Sequence, residues 1–333
     1  MRSFGVAAAV IALLAASAVG TSALLTGCSA DTASRAAAST AAAVSPKSSK
    51  RGAKKPVTTP SSKESATSTA PPVPAPTPVA DPAYDQAVAV LMYHHILPVP
   101  NNSIAITPAA FDAQMDYLRL HRFHPVSIAQ LEAFVLTGKR LPDKPVLITF
   151  DDGRMNQITY GVPILRRHGF TATFFVVKKW VVGASHSFMH AAQLKELIAD
   201  GFDVQSHTTN HAQIHPAQPK ATGQLESYAS MRSRYWGATY GMRVWMRQIL
   251  GGPPVIALAY PGGRYNADAE QLAREAGYHL AFTTDSGYVR YGAKGQTPWT
   301  LPRWNTGAKG TTMATFAAIV NGAARAEGAA TGH

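Results

Sequence analysis

The sequence predicts an α/β fold with parallel strands, and two observations support this. From about residue 87 onward, short apolar runs alternate with helical patterns, as in sheets covered by helices. These runs are rich in β-branched and aromatic residues with little polar interruption, which is typical of strands buried on both faces. The segment 86–333 is long enough for one barrel-like domain, and a hydrophobic content of 46% is enough for a sizeable core.

Six strands are predicted within this domain, each from one apolar run. They cover residues 88–92, 145–150, 172–177, 203–206, 255–260 and 281–284.

Helices are predicted between the strands from apolar residues at helical spacing. The first two should begin after the N-cap residues Thr107 and Ser127. The third and fourth should end at Gly169 and Gly201. A longer helical pattern covers residues 224–250, although two glycines weaken it.

The first 28 residues have the pattern of an export signal. Arg2 precedes an apolar run over residues 6–25, which ends in Leu-Thr-Gly-Cys. This tetrapeptide resembles the lipobox of bacterial lipoproteins, which implies cleavage before Cys28 and lipidation of Cys28, the only cysteine. An uncleaved membrane anchor is the alternative. Both interpretations predict an extracytoplasmic, membrane-anchored protein.

Residues 29–85 are predicted to form a disordered tether. They consist mainly of Ala, Ser, Thr, Pro and Lys and contain no Leu, so they cannot bury enough apolar surface to offset the entropy of ordering. The whole chain has a formal net charge of +12, and a basic run lies at 47–55. We expect this run to contact anionic wall polymer or lipid, in preference to nucleic acid.

Two adjacent carboxylates, Asp151 and Asp152, follow the predicted strand 145–150 in the sequence Thr-Phe-Asp-Asp-Gly. Their mutual repulsion is unfavourable unless a positive group offsets it, and a divalent metal does so. One carboxylate can then bind the metal while its neighbour accepts a proton from water. A charged turn without chemistry is the alternative.

Two histidines, His207 and His211, follow the predicted strand 203–206. Imidazoles four residues apart can converge on one ion, and one Asp with two His leaves coordination positions open for water and substrate. Apart from His94 and His95, the other histidines of the domain are expected to be structural or on the surface, with His215 the least certain.

Together these residues resemble the polysaccharide deacetylase family, the carbohydrate esterases with a NodB homology domain. The similarity lies in residues 149–153 and 207–211, with further agreement at 91–95, 201–206, 259–263 and 276–283. The segments 91–95 and 301–303 look most like the exopolysaccharide branch, which removes acetyl groups from poly-β-1,6-N-acetylglucosamine.

This resemblance implies a distorted (β/α) barrel and a set of roles. Asp151 would be the general base, and the backbone N–H of Gly262 would help to hold the oxyanion. Asp152, His207 and His211 would bind a divalent metal, usually zinc in this family, with cobalt or nickel as alternatives.

The sequence departs from the wider family in the groups that assist Asp151. No Arg stands shortly before Pro261, so Arg303 is the candidate for orienting Asp151, with a surface ion pair as the alternative. No His is found in the expected late motif, so His94, in preference to His95, is the candidate general acid.

A third departure concerns substrate contact, because Gly262 stands where the family usually has an aromatic residue. We expect Tyr260, Tyr265 and Trp304 to contact substrate, with a core or rim position as the alternative.

The predicted function is a monomeric, metal-dependent N-deacetylase acting on an acetylated amino-sugar polysaccharide, with poly-β-1,6-N-acetylglucosamine as the first candidate. Peptidoglycan, chitin oligomers or acetylated xylan are alternative polymers. A non-catalytic glycan-binding lipoprotein is the alternative class, and the export signal argues against nucleic-acid binding.

Overall fold

The computed structural model describes residues 84–216, 223–252 and 254–330. The predicted signal peptide, the lipidation site Cys28 and nearly all of the predicted tether lie outside the described residues.

The six predicted strands are all present, with ends that differ from the prediction by no more than two residues. Three further strands of two residues each were not predicted. In chain order the strands are β1 (Ala89–Tyr93), β2 (His95–Ile96), β3 (Ala105–Ile106), β4 (His124–Pro125), β5 (Pro145–Phe150), β6 (Thr173–Val176), β7 (Asp203–Ser206), β8 (Ala257–Ala259) and β9 (Leu280–Phe282).

Seven strands form a parallel sheet in the order β1-β5-β6-β7-β8-β9, with β4 also paired to β5. The segment 301–304 continues this sheet between its first and last strands. Leu301 forms a parallel bridge with Phe282 of β9, and Trp304 forms one with Leu91 of β1. The sheet is therefore curled into the predicted barrel, and Arg303 lies in the segment that joins its two edges.

The helices cover the outside and one end of this barrel. They are α1 (Pro108–Leu120), α2 (Ile128–Thr137), α3 (Val162–His168), α4 (Lys178–Val181), α5 (Ala191–Ala199), α6 (Tyr228–Leu250), α7 (Ala267–Glu275) and α8 (Met313–Ala330), with a π-helical turn at Gln157–Gly161 before α3.

The predicted helix ends are largely confirmed. The Thr107 side chain accepts a hydrogen bond from the backbone of Ala110, and Ser127 forms a capping box. Gly169 ends α3 in the left-handed conformation. The predicted start of the long helix at 224 is wrong, because Ser227 caps α6 and the helix begins one residue later.

Apolar side chains form two layers, one on each face of the sheet. The inner layer includes Val90, Leu147 and Phe175, and α2 closes one end of it with Leu131 and Phe134. The outer layer packs the other strand face against the remaining helices. Because strand residues alternate between faces, residues 149 and 151 extend the inner row of Leu147 to the opposite end of the barrel.

No helix among the described residues has the length and apolar character that crossing a membrane requires.

Candidate active site

The candidate site lies at the carboxyl ends of neighbouring parallel strands, where functional groups of (β/α) barrels are usually found. Asp151 and Asp152 follow β5, and His207 follows β7. The strand β6 lies between β5 and β7. Parallel pairing therefore brings the two predicted motifs to the same end of the sheet.

The three residues predicted to bind metal are brought together. Oδ1 of Asp152 lies 3.7 Å from Nε2 of His207 and 3.6 Å from Nε2 of His211. These separations are too long for hydrogen bonds. Oδ1 is also buried and has no hydrogen-bond partner among the described residues. A buried carboxylate oxygen that faces two imidazole nitrogens fits a divalent cation, which would give Oδ1 the partner that it lacks.

His207 is fixed in the form that binds a metal. Its Nδ1 lies 2.8 Å from the carbonyl oxygen of Ala259, which can only accept, so Nδ1 carries the proton and Nε2 has a free lone pair. Burial lowers the pKa of His207, although Asp151 and Asp152 oppose this shift. The ring is therefore neutral near pH 7, as a ligand must be.

The backbone around these three candidate ligands is strained. Asp152, Thr208 and His211 have φ values of 78°, 69° and 59°, in the left-handed region that non-glycine residues rarely adopt. Gly153, at φ 68°, continues the turn, and a Cβ there would lie 3.0 Å from Cγ1 of Val176. Strain of this kind persists where the surrounding structure imposes it, and it is concentrated at functional sites.

Asp151 forms a bidentate ion pair with Arg303. The Nη1 and Nη2 atoms of Arg303 each donate to one oxygen of Asp151 at 2.7 Å, and Nε donates to the carbonyl of Thr283 at 2.9 Å. Burial alone would raise the pKa of Asp151, but the charge and hydrogen bonds of Arg303 outweigh it and hold that pKa well below its usual range. Asp151 is ionised at neutral pH. Arg303 is fully buried, so the alternative of a surface ion pair is wrong.

His94 faces this ion pair. Its Nε2 lies 3.9 Å from Oδ2 of Asp151, and its buried Nδ1 has no hydrogen-bond partner among the described residues. Burial lowers the pKa of His94, with Asp151 opposing the shift, so the ring is neutral near pH 7. His95 instead places Nδ1 3.1 Å from the side-chain nitrogen of Asn156. The geometry favours His94 over His95 as the partner of Asp151.

The loop after β8 carries the predicted oxyanion group and two of the aromatic residues. Gly262 is exposed with φ 64°, a backbone conformation that favours glycine. The expectation for the Tyr260 ring is wrong, because that ring is fully buried in the outer apolar layer and cannot contact a substrate. Tyr265 is half-buried beside it, with ring centroids 5.9 Å apart.

Trp304 is half-buried and packs against the outer apolar layer, with its ring 5.5 Å from that of Tyr288. Its role in substrate contact, like that of Tyr265, stays a prediction.

The structure adds residues that sequence reasoning missed. Nε and Nη2 of Arg154 donate to Oδ2 of Asp152 at 3.2 and 3.0 Å. The side-chain amide of Gln157 donates to the carbonyl oxygens of His94 and Asp151, both at 2.7 Å. The contact of Arg154 had a sequence signal, because a basic residue stands two positions after Asp152. Gln157 lies in a π-helical turn, which no sequence pattern indicates, so its contacts could not be predicted.

Residues 138–281 match the family model for polysaccharide deacetylase. This range contains both the carboxylate pair and the histidine pair. The chain carries a polysaccharide deacetylase domain.

The deacetylase domain has curated relatives of low identity. The chain is 27% identical to YxkH of Bacillus subtilis (strain 168) over 60% of this chain and 64% of that protein. It is 28% identical to the poly-beta-1,6-N-acetyl-D-glucosamine N-deacetylase of Escherichia coli (strain K12), over 55% of this chain and 31% of that enzyme. The chain thus spans less than two thirds of the length of either relative.

The deacetylase domain is also similar to solved structures. The Streptococcus pyogenes deacetylase PplD, solved in complex with acetate, matches with a TM-score of 0.56 and 26% identity. That match covers 68% of this chain and 92% of PplD.

Proposed function

We propose that this protein is a metal-dependent hydrolase that removes N-acetyl groups from an extracellular polymer of N-acetylglucosamine. The observation that carries the proposal is the position of an ionised carboxylate, Asp151, directly beside the set Asp152, His207 and His211. A base beside a candidate metal site, at an end of a barrel, is the arrangement that metal-assisted amide hydrolysis requires.

A divalent ion bound there would polarise the acetyl carbonyl and lower the pKa of its water, and zinc best suits one carboxylate with two imidazoles. Asp151 would accept the proton of the attacking water. Its two oxygens offer about four lone-pair sites, and Arg303 uses only two of them, so acceptor capacity is left. The bidentate fork also fixes the plane of the carboxylate.

His94, which is neutral before the reaction, would take up the proton that Asp151 has accepted and pass it to the leaving nitrogen as the C–N bond breaks, which leaves both side chains in their starting states. The His94 ring lies beside Asp151, and its unpaired Nδ1 leaves it free of other hydrogen bonds among the described residues. The backbone N–H of Gly262 would stabilise the oxyanion. Gly262 is exposed, and its left-handed backbone turns the chain after β8.

Poly-β-1,6-N-acetylglucosamine is the proposed substrate, supported by the similarity to the Escherichia coli enzyme. Peptidoglycan is the second candidate, because the net charge of +12 favours an anionic wall. We further propose that a lipid on Cys28 anchors the protein to a membrane outside the cytoplasm, as the residues before Cys28 predict.

The test is acetate release from poly-β-1,6-N-acetylglucosamine oligomers, with peptidoglycan, chitin oligomers and acetylated xylan compared in parallel. We expect release that a chelator abolishes and added zinc restores. Asp151→Asn should lower the rate at least about 100-fold, because general bases contribute 10²–10⁴-fold. The matched control is Asp116→Asn, which removes an exposed carboxylate paired with Arg119 and should leave the rate unchanged.

Release that resists the chelator, or full activity of Asp151→Asn, would refute the proposed mechanism. Glycan binding without turnover under several metals would instead favour a non-catalytic glycan-binding protein.

A further inference from the structure

The two oxygens of Asp152 have separate partners. Oδ2 receives both hydrogen bonds of Arg154, while Oδ1 alone faces the two imidazole nitrogens, at 3.7 Å from His207 and 3.6 Å from His211. Arg154 therefore determines which oxygen of the carboxylate is available to a cation. It does so from outside the ligand set.

Arg154 is itself held by an aromatic pair. Its guanidinium carbon lies 4.5 Å from the ring centroid of Phe188 and 5.4 Å from that of Trp180. The two rings stack with centroids 4.7 Å apart and planes 21° apart. Because Arg rests against aromatic rings and its side chain is only 24% exposed, its fork has little freedom to leave Asp152.

The same aromatic pair also holds the more exposed imidazole. Trp180 stacks on His211 with ring centroids 5.1 Å apart and planes 29° apart. The His211 side chain is 34% exposed, whereas that of His207 is 1% exposed and is anchored by a backbone carbonyl. Among the described residues, neither ring nitrogen of His211 has a hydrogen bond. Trp180 therefore supplies for His211 the orientation that a hydrogen bond supplies for His207.

Backbone hydrogen bonds connect the segment that carries Trp180 and Phe188 to both parts of the candidate metal site. We call residues 178–189 the bridging segment. Its first residues donate hydrogen bonds to the loop that contains His207 and His211, and its last residues pair with the turn after Asp152. The hydrogen bonds run from Lys178 N to Thr208 O at 3.4 Å, Lys179 N to Thr209 O at 2.7 Å, Met155 N to Ser187 O at 2.9 Å and Met189 N to Gly153 O at 2.9 Å.

We propose that Arg154 and Trp180 are positioning residues of the metal site. Arg154 presents one oxygen of Asp152 to a divalent cation, and Trp180 presents the Nε2 atom of His211. Phe188 and the bridging segment hold the Arg154 and Trp180 side chains in position relative to each other. This inference rests on the proposed function, because it assumes that the set of Asp152, His207 and His211 binds a cation.

Arg154 has two opposed effects on a bound cation, which the choice of variant separates. Its positive charge repels the ion, while its two hydrogen bonds orient the ligand. Arg154→Lys keeps the charge but removes the planar fork, so it tests orientation alone. Loss of groups that orient metal ligands commonly weakens affinity 10–100-fold, and we expect about a tenfold loss for Arg154→Lys and for Trp180→Ala.

The experiment measures zinc affinity of the full chain by competition with a chromophoric chelator. The variants are Arg154→Lys, Trp180→Ala and Trp180→Phe, the last retaining a stacking ring and therefore an affinity within threefold of wild type. The matched controls are Arg232→Lys and Trp236→Ala on α6, where the guanidinium carbon of Arg232 lies 4.1 Å from the Trp236 ring centroid. Both controls should bind zinc as wild type does.

Thermal unfolding in chelator, compared with unfolding in zinc, reports folding and metal binding separately. Zinc raises the unfolding midpoint of a protein only if it binds the folded state more tightly than the unfolded state. A positioning role predicts wild-type midpoints in chelator and smaller zinc-dependent increases for Arg154→Lys and Trp180→Ala. If Trp180→Ala fails to fold, Arg154→Lys decides the question for Arg154, and Trp180→Phe with Trp180→Leu decides it for the stacking ring.

The outcomes separate this inference from the proposed function. Wild-type protein that binds no zinc, nor cobalt or nickel, would overturn both. Wild-type binding with affinities of Arg154→Lys and Trp180→Ala within threefold of wild type would overturn only the inference. Equal losses in Trp180→Phe and Trp180→Ala would overturn the role assigned to ring stacking.

Discussion

Replacing Arg303 by methionine tests the ion pair that holds Asp151. The Arg303 side chain is fully buried, and it donates to both oxygens of a carboxylate that is itself only 2% exposed. Methionine fills much of the same volume but leaves that carboxylate without its counterion. Because breaking a buried pair from one side typically costs about 3–5 kcal/mol, we expect the free energy of unfolding at pH 7 to fall by that amount.

The substitution should also change how stability depends on pH. In the wild type Arg303 holds the folded pKa of Asp151 below the unfolded value of about 3.9, so its stabilising contribution is present above that pH and is lost as the pH falls through the folded pKa. Without Arg303, burial dominates and the folded pKa lies above the unfolded value. Acidification then favours the folded variant. The difference in unfolding free energy between the two proteins should therefore shrink from pH 7 to pH 4.

The assay is urea denaturation followed by tryptophan fluorescence, with metal chelated, at both pH values. The matched control is Arg119→Met, because Arg119 is 52% exposed and pairs with an equally exposed Asp116. Such surface pairs contribute about 0–1 kcal/mol. Adding Asp151→Asn to Arg303→Met should recover part of the lost stability. A loss below about 1 kcal/mol at pH 7, or one independent of pH, would refute the reasoning, since the buried-pair estimate requires several times more.

Two further predictions concern the backbone and a half-buried carboxyl group. Gly263 has φ 67°, and the Cβ of Gly263→Ala would lie 1.9 Å from Oγ1 of Thr284. We therefore expect this variant to have a lower thermal unfolding midpoint, which adding Thr284→Ala partly restores. An unchanged midpoint would contradict this. Burial raises the pKa of Asp203 although Oδ2 accepts from the backbone of Ile128 at 2.9 Å, so Asp203→Asn should stabilise the protein at pH 7 and less at pH 4. Urea denaturation at both pH values checks this, and a destabilised variant at pH 7 would count against it.

Much of the fold could be predicted because its strands carry a local signal. A run of β-branched and aromatic residues without polar interruption indicates burial on both faces, whatever the rest of the chain does. The strands β2, β3 and β4 were missed because two residues are too few to carry such a pattern. The start of α6 was placed too early, since Gln224, Leu225 and Glu226 are compatible with a helix and only Ser227 marks the boundary.

The candidate metal-binding residues and the contact of Arg303 with Asp151 could be predicted, but the contacts of Arg154 and Gln157 were missed. The adjacent carboxylates and the paired imidazoles could be recognised in the sequence because each residue lies within four residues of its partner. The error at Tyr260 has a different origin. Successive strand residues face opposite sides, so whether a residue at a strand end points into the site or into the outer layer depends on how the sheet curls.

The sequence by itself determined the alternation of strands and helices and the two motifs of the candidate site, because these depend on neighbours a few residues apart. Tertiary structure decided which groups surround them. Arg303 reaches Asp151 across 152 residues because the segment 301–304 joins the two edges of the curled sheet. Trp180 reaches His211, and Arg154 reaches Phe188, only because parallel pairing brings the ends of β5, β6 and β7 side by side.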